Sequence, residues 1–229
     1  MKKLKSRFVA FAVLGGTLAA AGLACAASAG DAGTPGGKVH LPAAAKKSGM
    51  DLFEALGGRH SSRSYDPKRA IPDKTLANVL WAADGVNRPN GKHTAPSARG
   101  VRYMRIYVCR ADGAWRYDQD KHVLIKVTGA DLRARVGRQK FMADAPVVVV
   151  LTSDLAVYRR RVPGARESAI REYSHATAGC IAQNIYLSAE ASGLGTVMAA
   201  MIRADEIRKG LKFGKDELPM YIMPLGYVR

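Results

Sequence analysis

The residues best equipped for chemistry stand in one short segment, Arg59-His-Ser-Ser-Arg63. Two arginines four apart with hydroxyls between them make a compact anion site. Guanidinium groups offer fixed, paired donors to phosphate oxygens, and serine hydroxyls add short hydrogen bonds. A solvated basic loop has the same composition. His60 reads equally as a packing or backbone-bonding residue and as a ligand. A second segment, residues 81–100, is a long polar loop that runs to Thr94-Ala-Pro-Ser97 and separates two apolar elements, the setting in which binding groups concentrate. Metal and nucleophile chemistry find no support. CxxC, HExxH, a histidine cluster, GxSxG, SxxK and the phosphate-loop GxxxxGK[ST] are absent. Cys109 and Cys180 lie in apolar stretches and read as core residues, with a disulfide between them open only in an oxidising compartment.

The elements that must hold these segments follow from periodicity and punctuation. Asp51 with Glu54 three residues later is a capping box for a short helix over 51–56, closed by Gly57 and Gly58. Residues 71–83 read as a helix with Pro72 in its first turn and Leu76, Val79, Leu80 and Ala83 on one face. Three short strands joined by tight turns, one of them at Asp112-Gly113, are expected between 102 and 127 and argue for an antiparallel sheet. Asp131 reads as the cap of a helix over 131–136. The β-branched run 146–152 has the pattern of a strand buried on both faces and reads as the central one. Residues 159–161, three arginines, read as a solvated face. Residues 167–192 form the longest helical pattern, apolar almost all round, as a central helix or a subunit interface would be. Inside it Gln183 and Asn184 read as groups that satisfy backbone or each other. Gly193 and Gly195 lack the third glycine and the strand-to-helix order of a dinucleotide fingerprint. A short helix over 205–211 and a last strand over 220–226 complete the chain.

Composition sets the outer limits. The 229 residues carry a net charge of +17. A basic start (Lys2, Lys3, Lys5, Arg7), an apolar stretch over 8–23 and Ala27-Ser-Ala29 together read as a secretory signal peptide over residues 1–29, cleaved near Ala29. Lipidation at Cys25 is the alternative, weakened because no aliphatic residue stands three before it. The expected home is periplasmic or secreted, with no membrane span in the mature chain. The four early cations leave with the signal, so +13 remains, a surface that attracts anions. Basic residues are spread without stacking motifs, which argues against nucleic acid. Residues 30–47, rich in Gly, Ala, Pro and Lys, are expected to be a loose leader, and 48–229 one folded domain.

Taken together, these segments resemble the nitroreductase family, in particular the branch with thiazoline- and oxazoline-oxidising dehydrogenases, over roughly residues 51–227. The similarity rests on Arg59-His-Ser-Ser-Arg63, on Trp81-Ala-Ala and Gly85-Val-Asn-Arg-Pro running to Thr94-Ala-Pro-Ser-Ala98, on Ala145-Pro-Val-Val-Val149 with Gln183-Asn184 and Gly193-Leu-Gly195, and on Leu225-Gly-Tyr227. The resemblance implies an α+β fold, a mostly antiparallel central sheet flanked by helices, and a homodimer with FMN in two shared clefts. It assigns Arg59, Ser61 and Arg63 to the FMN phosphate and the pyrimidine side of the ring, with His60 assisting. It assigns Pro96, Ser97 and Ala98 to the partner's flavin, Met198, Ala199 and Ala200 to backbone contacts near N5, and Gln139 to the ring edge. Many members carry Asn where this chain has Gly100, and a basic tail toward the phosphate, a role the resemblance passes to Arg229. The implied activity is ping-pong hydride transfer from NAD(P)H through flavin N5 to a small oxidised acceptor such as a nitroaromatic or quinone. The flavin carries the chemistry, so no catalytic side chain is expected. The other reading is a non-catalytic envelope protein that binds a flavin or another anion on the same fold.

Overall fold

The computed structural model describes residues 34–45, 47 and 49–229. The expected signal segment lies outside them. The elements in chain order are β1 (Lys38–His40), α1 (Leu52–Gly58), α2 (Asp73–Asp84), β2 (Met104–Arg110), β3 (Gly113–Asp118), β4 (Val123–Thr128), α3 (Arg133–Val136), β5 (Val147–Asp154), α4 (Leu155–Arg161), α5 (Glu167–Glu190), β6 (Gly195–Thr196), α6 (Ala204–Leu211) and β7 (Glu217–Gly226). The sheet has seven strands in the order β1-β4-β3-β2-β5-β7-β6, and every pairing in it is antiparallel. This is the expected α+β architecture.

β5 is central, as its unbroken run of branched residues requires. It pairs with β2 through Val149↔Val108 and with β7 through Val149↔Met223. The alternation of side chains along a strand divides it between two cores. Val147, Val149 and Leu151 join α2 and α5 in one cluster, while Val148 and Val150 join α3 and α6 in the other. The molecule is thus a sheet between two helical layers. Leu76, Val79, Leu80 and Ala83 are the buried stripe of α2. Asp51 caps α1 by accepting the Glu54 N–H at 2.9 Å.

Several expectations change. Lys38–His40, inside the stretch expected to be loose, is an edge strand on β4, and Leu41 reaches the core. Apolar Val39 and Leu41 outweigh the Gly- and Ala-rich composition around them. Helix α3 begins with Leu132 as its cap; Asp131 instead accepts the Arg133 N–H at 3.0 Å. Helix α5 buries one face, on which Ile170, Ala178, Ile181, Ile185 and Ala189 lie, while Tyr173, His175 and Gln183 are exposed. Asn184 does satisfy backbone, donating to Ala83 O at 3.4 Å. Arg160 and Arg161 are exposed, as a solvated face requires, and half-exposed Arg159 pairs with Glu167 at 2.6 Å and Asp216 at 2.9 Å. Among the described residues neither Cys109, which is buried, nor Cys180, which is half-buried, is in a disulfide.

Candidate functional site

The arginine-serine segment lies extended between β6 and the end of the chain. Ser61 bridges Thr196 in parallel, and the Ser62 N–H donates to Thr196 O at 2.9 Å. Farther along, Tyr65 bridges Val228, and the Asp66 N–H donates to Tyr227 O at 2.9 Å. In extended backbone, neighbours point to opposite sides. Ser62 therefore turns inward and is buried, while Ser61 and Arg63 face solvent. The inward side requires Gly195: a Cβ there would sit 2.4 Å from Val228 Cγ2 and 2.7 Å from Ser62 Cβ.

One residue the sequence reading passed over organises the outward side. Tyr186, on α5, shares a hydrogen bond with Ser61 Oγ at 3.0 Å and accepts the Met198 N–H at 2.8 Å. The Arg59 guanidinium lies 5.0 Å from its ring centroid, over the face. Tyr186 thus joins Arg59, Ser61 and Met198. It stands three residues after Gln183 in the helical pattern, and nothing but that position marked it. His60 bonds Gly58 O through Nδ1 at 2.8 Å and Ser62 Oγ through Nε2 at 3.2 Å, so it braces the segment.

Arg59 and Arg63 have no carboxylate partner among the described residues. The field of Arg63 reaches Tyr65, whose phenol is held far above its usual range, first by burial, then by Tyr186, with Arg63 opposing. Arg229 lies beyond the Tyr65–Val228 bridge and pairs loosely with Asp144 at 3.8 Å. The cationic end of the site is thus Arg59 and Arg63, with Arg229 partly committed elsewhere.

The far end narrows the expected backbone contacts. The Met198 N–H is taken by Tyr186, and Ala199 exchanges both its backbone bonds with Ile222, at 2.9 and 3.0 Å. Ala199 is also buried, so its backbone N–H and C=O are committed within the fold. Ala200 is exposed, and its N–H has no partner among the described residues. Gly137 bridges Ile202 and the Arg138 N–H donates to Met201 O at 3.0 Å, which brings residues 137–138 against 201–202, next in the chain to Gln139 and to Ala200. Gln139 Oε1 is buried with no donor. A buried orphaned acceptor is costly to leave unmatched, and a planar heterocycle whose edge carries both a donor and an acceptor would match it and could take the Ala200 N–H as well. The chemistry of the residues present, two unpaired cations at Arg59 and Arg63 and an orphaned acceptor at Gln139, therefore fits a flavin.

Pro96, Ser97 and Ala98 are not brought to this surface. Ser97 Oγ donates to Val101 O, and no hydrogen bond, ion pair or ring contact joins the three to residues 59–63 among the described residues. Their loop is pinned at its root. Trp81 Nε1 donates to Val86 O at 2.9 Å, and buried His93 meets Asp84 O through Nδ1 at 2.7 Å and Asp120 Oδ1 through Nε2 at 2.9 Å. The Asp84 carboxylate receives Arg102, at 3.2 Å to each oxygen, and Gln119 at 2.7 Å. Burial nonetheless pushes its pKa up to about 6, with Arg102 and Gln119 opposing. A cavity of about 700 Å³ lies between α1, α2 and α5, lined by Asn78, Trp81, Thr94, Asn184 and Ser188 among others. It does not include the arginine segment. Beside it α1 exposes Leu52 (59%) and Phe53 (82%).

Comparison with known proteins gives this architecture a context. Residues 56–227 match the model of the Nitroreductase family. A nitroreductase-like protein of Methanocaldococcus jannaschii is 33% identical over 77% of this chain and 91% of its own length. The crystal structure of a nitroreductase-like protein from Ralstonia eutropha is 33% identical with a TM-score of 0.77, covering 84% of this chain and 90% of that one. The NADPH:FMN oxidoreductase of Vibrio harveyi, solved with NAD+, shares the fold at 19% identity and a TM-score of 0.57, over 77% of this chain and 68% of that one.

Proposed function

Because the chain belongs to the nitroreductase family and is an oxidoreductase of that class, we propose that it is an FMN-dependent enzyme that takes reducing equivalents from NAD(P)H and passes them to a small oxidised acceptor of nitroaromatic or quinone type. The observation that carries this reading is the pairing of two unneutralised arginines at one end of the surface with an orphaned acceptor and a free N–H at the other. The cofactor named for the Vibrio harveyi protein supports FMN as the ligand.

Bound FMN would supply hydride acceptance and release, chemistry no side chain here performs. The chain's own groups do the rest. Arg59 and Ser61, steadied by Tyr186, hold phosphate oxygens. Arg63 places fixed positive charge where added negative charge on the ligand is stabilised. Gln139 and Ala200 orient the ring edge. Pro96, Ser97 and Ala98, remote from residues 59–63 in their own chain, line the flavin of a second copy. The exposed apolar side of α1 and the neighbouring cavity fit a homodimer interface that brings them there. The basic start and Ala27-Ser-Ala29 support export to the periplasm or beyond. Flavin retention tests the assignment. The wild-type mature chain should keep FMN through desalting and Arg59→Ala should lose it with its fold intact; retention by both would refute the site. The binding-only reading is favoured by the Arg229–Asp144 pair, which draws a third cation from the phosphate. Retained flavin that NADPH and NADH both fail to bleach would decide for it.

A further inference from the structure

A second cationic surface lies away from residues 59–63. A cleft of about 610 Å³ is lined by Arg99, Gly100, Val101, Arg102, Val157, Arg161 and Val162. Arg102 is committed to Asp84 at 3.2 Å. Arg99 and Arg161 are exposed and have no carboxylate or carbonyl partner among the described residues, and no acidic residue lines the cleft. Lys92 adds a third charge: its Nζ lies 3.7 Å from where a Gly100 Cβ would stand. Two backbone donors at the turn are spent, Gly100 N–H on Ser97 O at 2.9 Å and Val101 N–H on Ala98 O at 3.1 Å. The unpaired charges available for recognition are the guanidinium groups of Arg99 and Arg161 and the ammonium of Lys92. Arg99 is held at φ 55°, a left-handed conformation that costs a residue with a Cβ, and surroundings must enforce it. Three valines supply an apolar wall.

We propose that this cleft binds the phosphates of a nucleotide, specifically those of the pyridine dinucleotide donor, with the valines against its apolar portions. Uncompensated arginines match phosphate oxygens in paired geometry, and an apolar wall beside them matches a base or ribose. Position assigns it to the donor. Arg99 follows Ala98 directly in the chain, so the cleft begins where the flavin-lining segment ends. This last step rests on the reading that Pro96, Ser97 and Ala98 line a flavin; the phosphate site itself does not.

The test begins with inorganic pyrophosphate titrated calorimetrically into the mature chain carrying Arg59→Ala and Arg63→Ala, which leaves the cleft intact. One site is expected, weakening with added salt. Adding Arg99→Ala and Arg161→Ala should weaken it at least tenfold. Arg99→Lys with Arg161→Lys should restore part of the affinity, and circular dichroism should show the fold unchanged. Equal affinity in the Arg99/Arg161 alanine variant, or no binding before those changes, overturns the phosphate site. In the otherwise wild-type chain, Arg99→Ala with Arg161→Ala should weaken NADP+ at least tenfold and leave FMN retention unchanged. Unaltered NADP+ binding overturns the assignment to the donor. Failure of the flavin reading would show separately, as wild-type protein that keeps no FMN, and the pyrophosphate titration would decide as before.

Discussion

Tyr186 shows how much of a site one hydroxyl can hold. Replacing it with phenylalanine removes the bond to Ser61 and leaves the Met198 N–H without its acceptor. Tyr186→Phe should therefore cost about 1–3 kcal/mol in urea unfolding and loosen flavin retention; unchanged values for both would remove Tyr186 from the site. Asp84 gives a second prediction at this scale. Its folded pKa is raised from 3.8 to about 6, so the stability its protonated form contributes is present below pH 4 and is lost as pH rises through 6. Two units correspond to roughly 3 kcal/mol. The urea midpoint of Asp84→Asn should gain on the wild type between pH 4 and 7, and parallel profiles would contradict the burial argument. Arg59, Ser61 and Arg63 were legible because arginine and serine at that spacing are chemically distinctive. Tyr186 and Gln139 carry no local signature, and only packing reveals what they face.

At the scale of elements, the site is a strand-like segment laid against β6, and it lies close because Gly195 has no side chain. A methyl there would collide with Val228 and Ser62. Gly195→Ala should cost about 1–3 kcal/mol by overpacking and release FMN more readily than the wild type. A neutral result in thermal unfolding would mean the segment shifts without penalty. The helices and strands themselves were legible, since α2 has its apolar stripe and β5 its branched run. Their ends were less so. Leu132 displaced Asp131 as a cap because backbone geometry, not residue type, decides where the first turn starts. The edge strand at Lys38–His40 escaped notice because its apolar residues, Val39 and Leu41, are few and sit among glycines and alanines.

For the whole molecule, one chain contains the arginine surface and, elsewhere, the segment expected to cover it in a second copy. The one-sided burial of α5 and the exposed Leu52 and Phe53 leave apolar area for that copy. Sedimentation should find a dimer, and Phe53→Asp should shift it toward monomer with loss of flavin; a monomer that holds FMN firmly would refute the shared site. No side-chain pattern within the sequence could show which segments meet across a subunit boundary, since both surfaces look solvent-facing in a single chain. On the proposed function, this fold holds a flavin that a nicotinamide reduces. The direct test is the absorption spectrum of the mature protein after incubation with FMN and desalting, then after anaerobic addition of NADPH and, separately, NADH. Flavin bands that persist and bleach with either donor are the expected result. A spectrum without flavin bands, identical to that of Arg59→Ala, would contradict it.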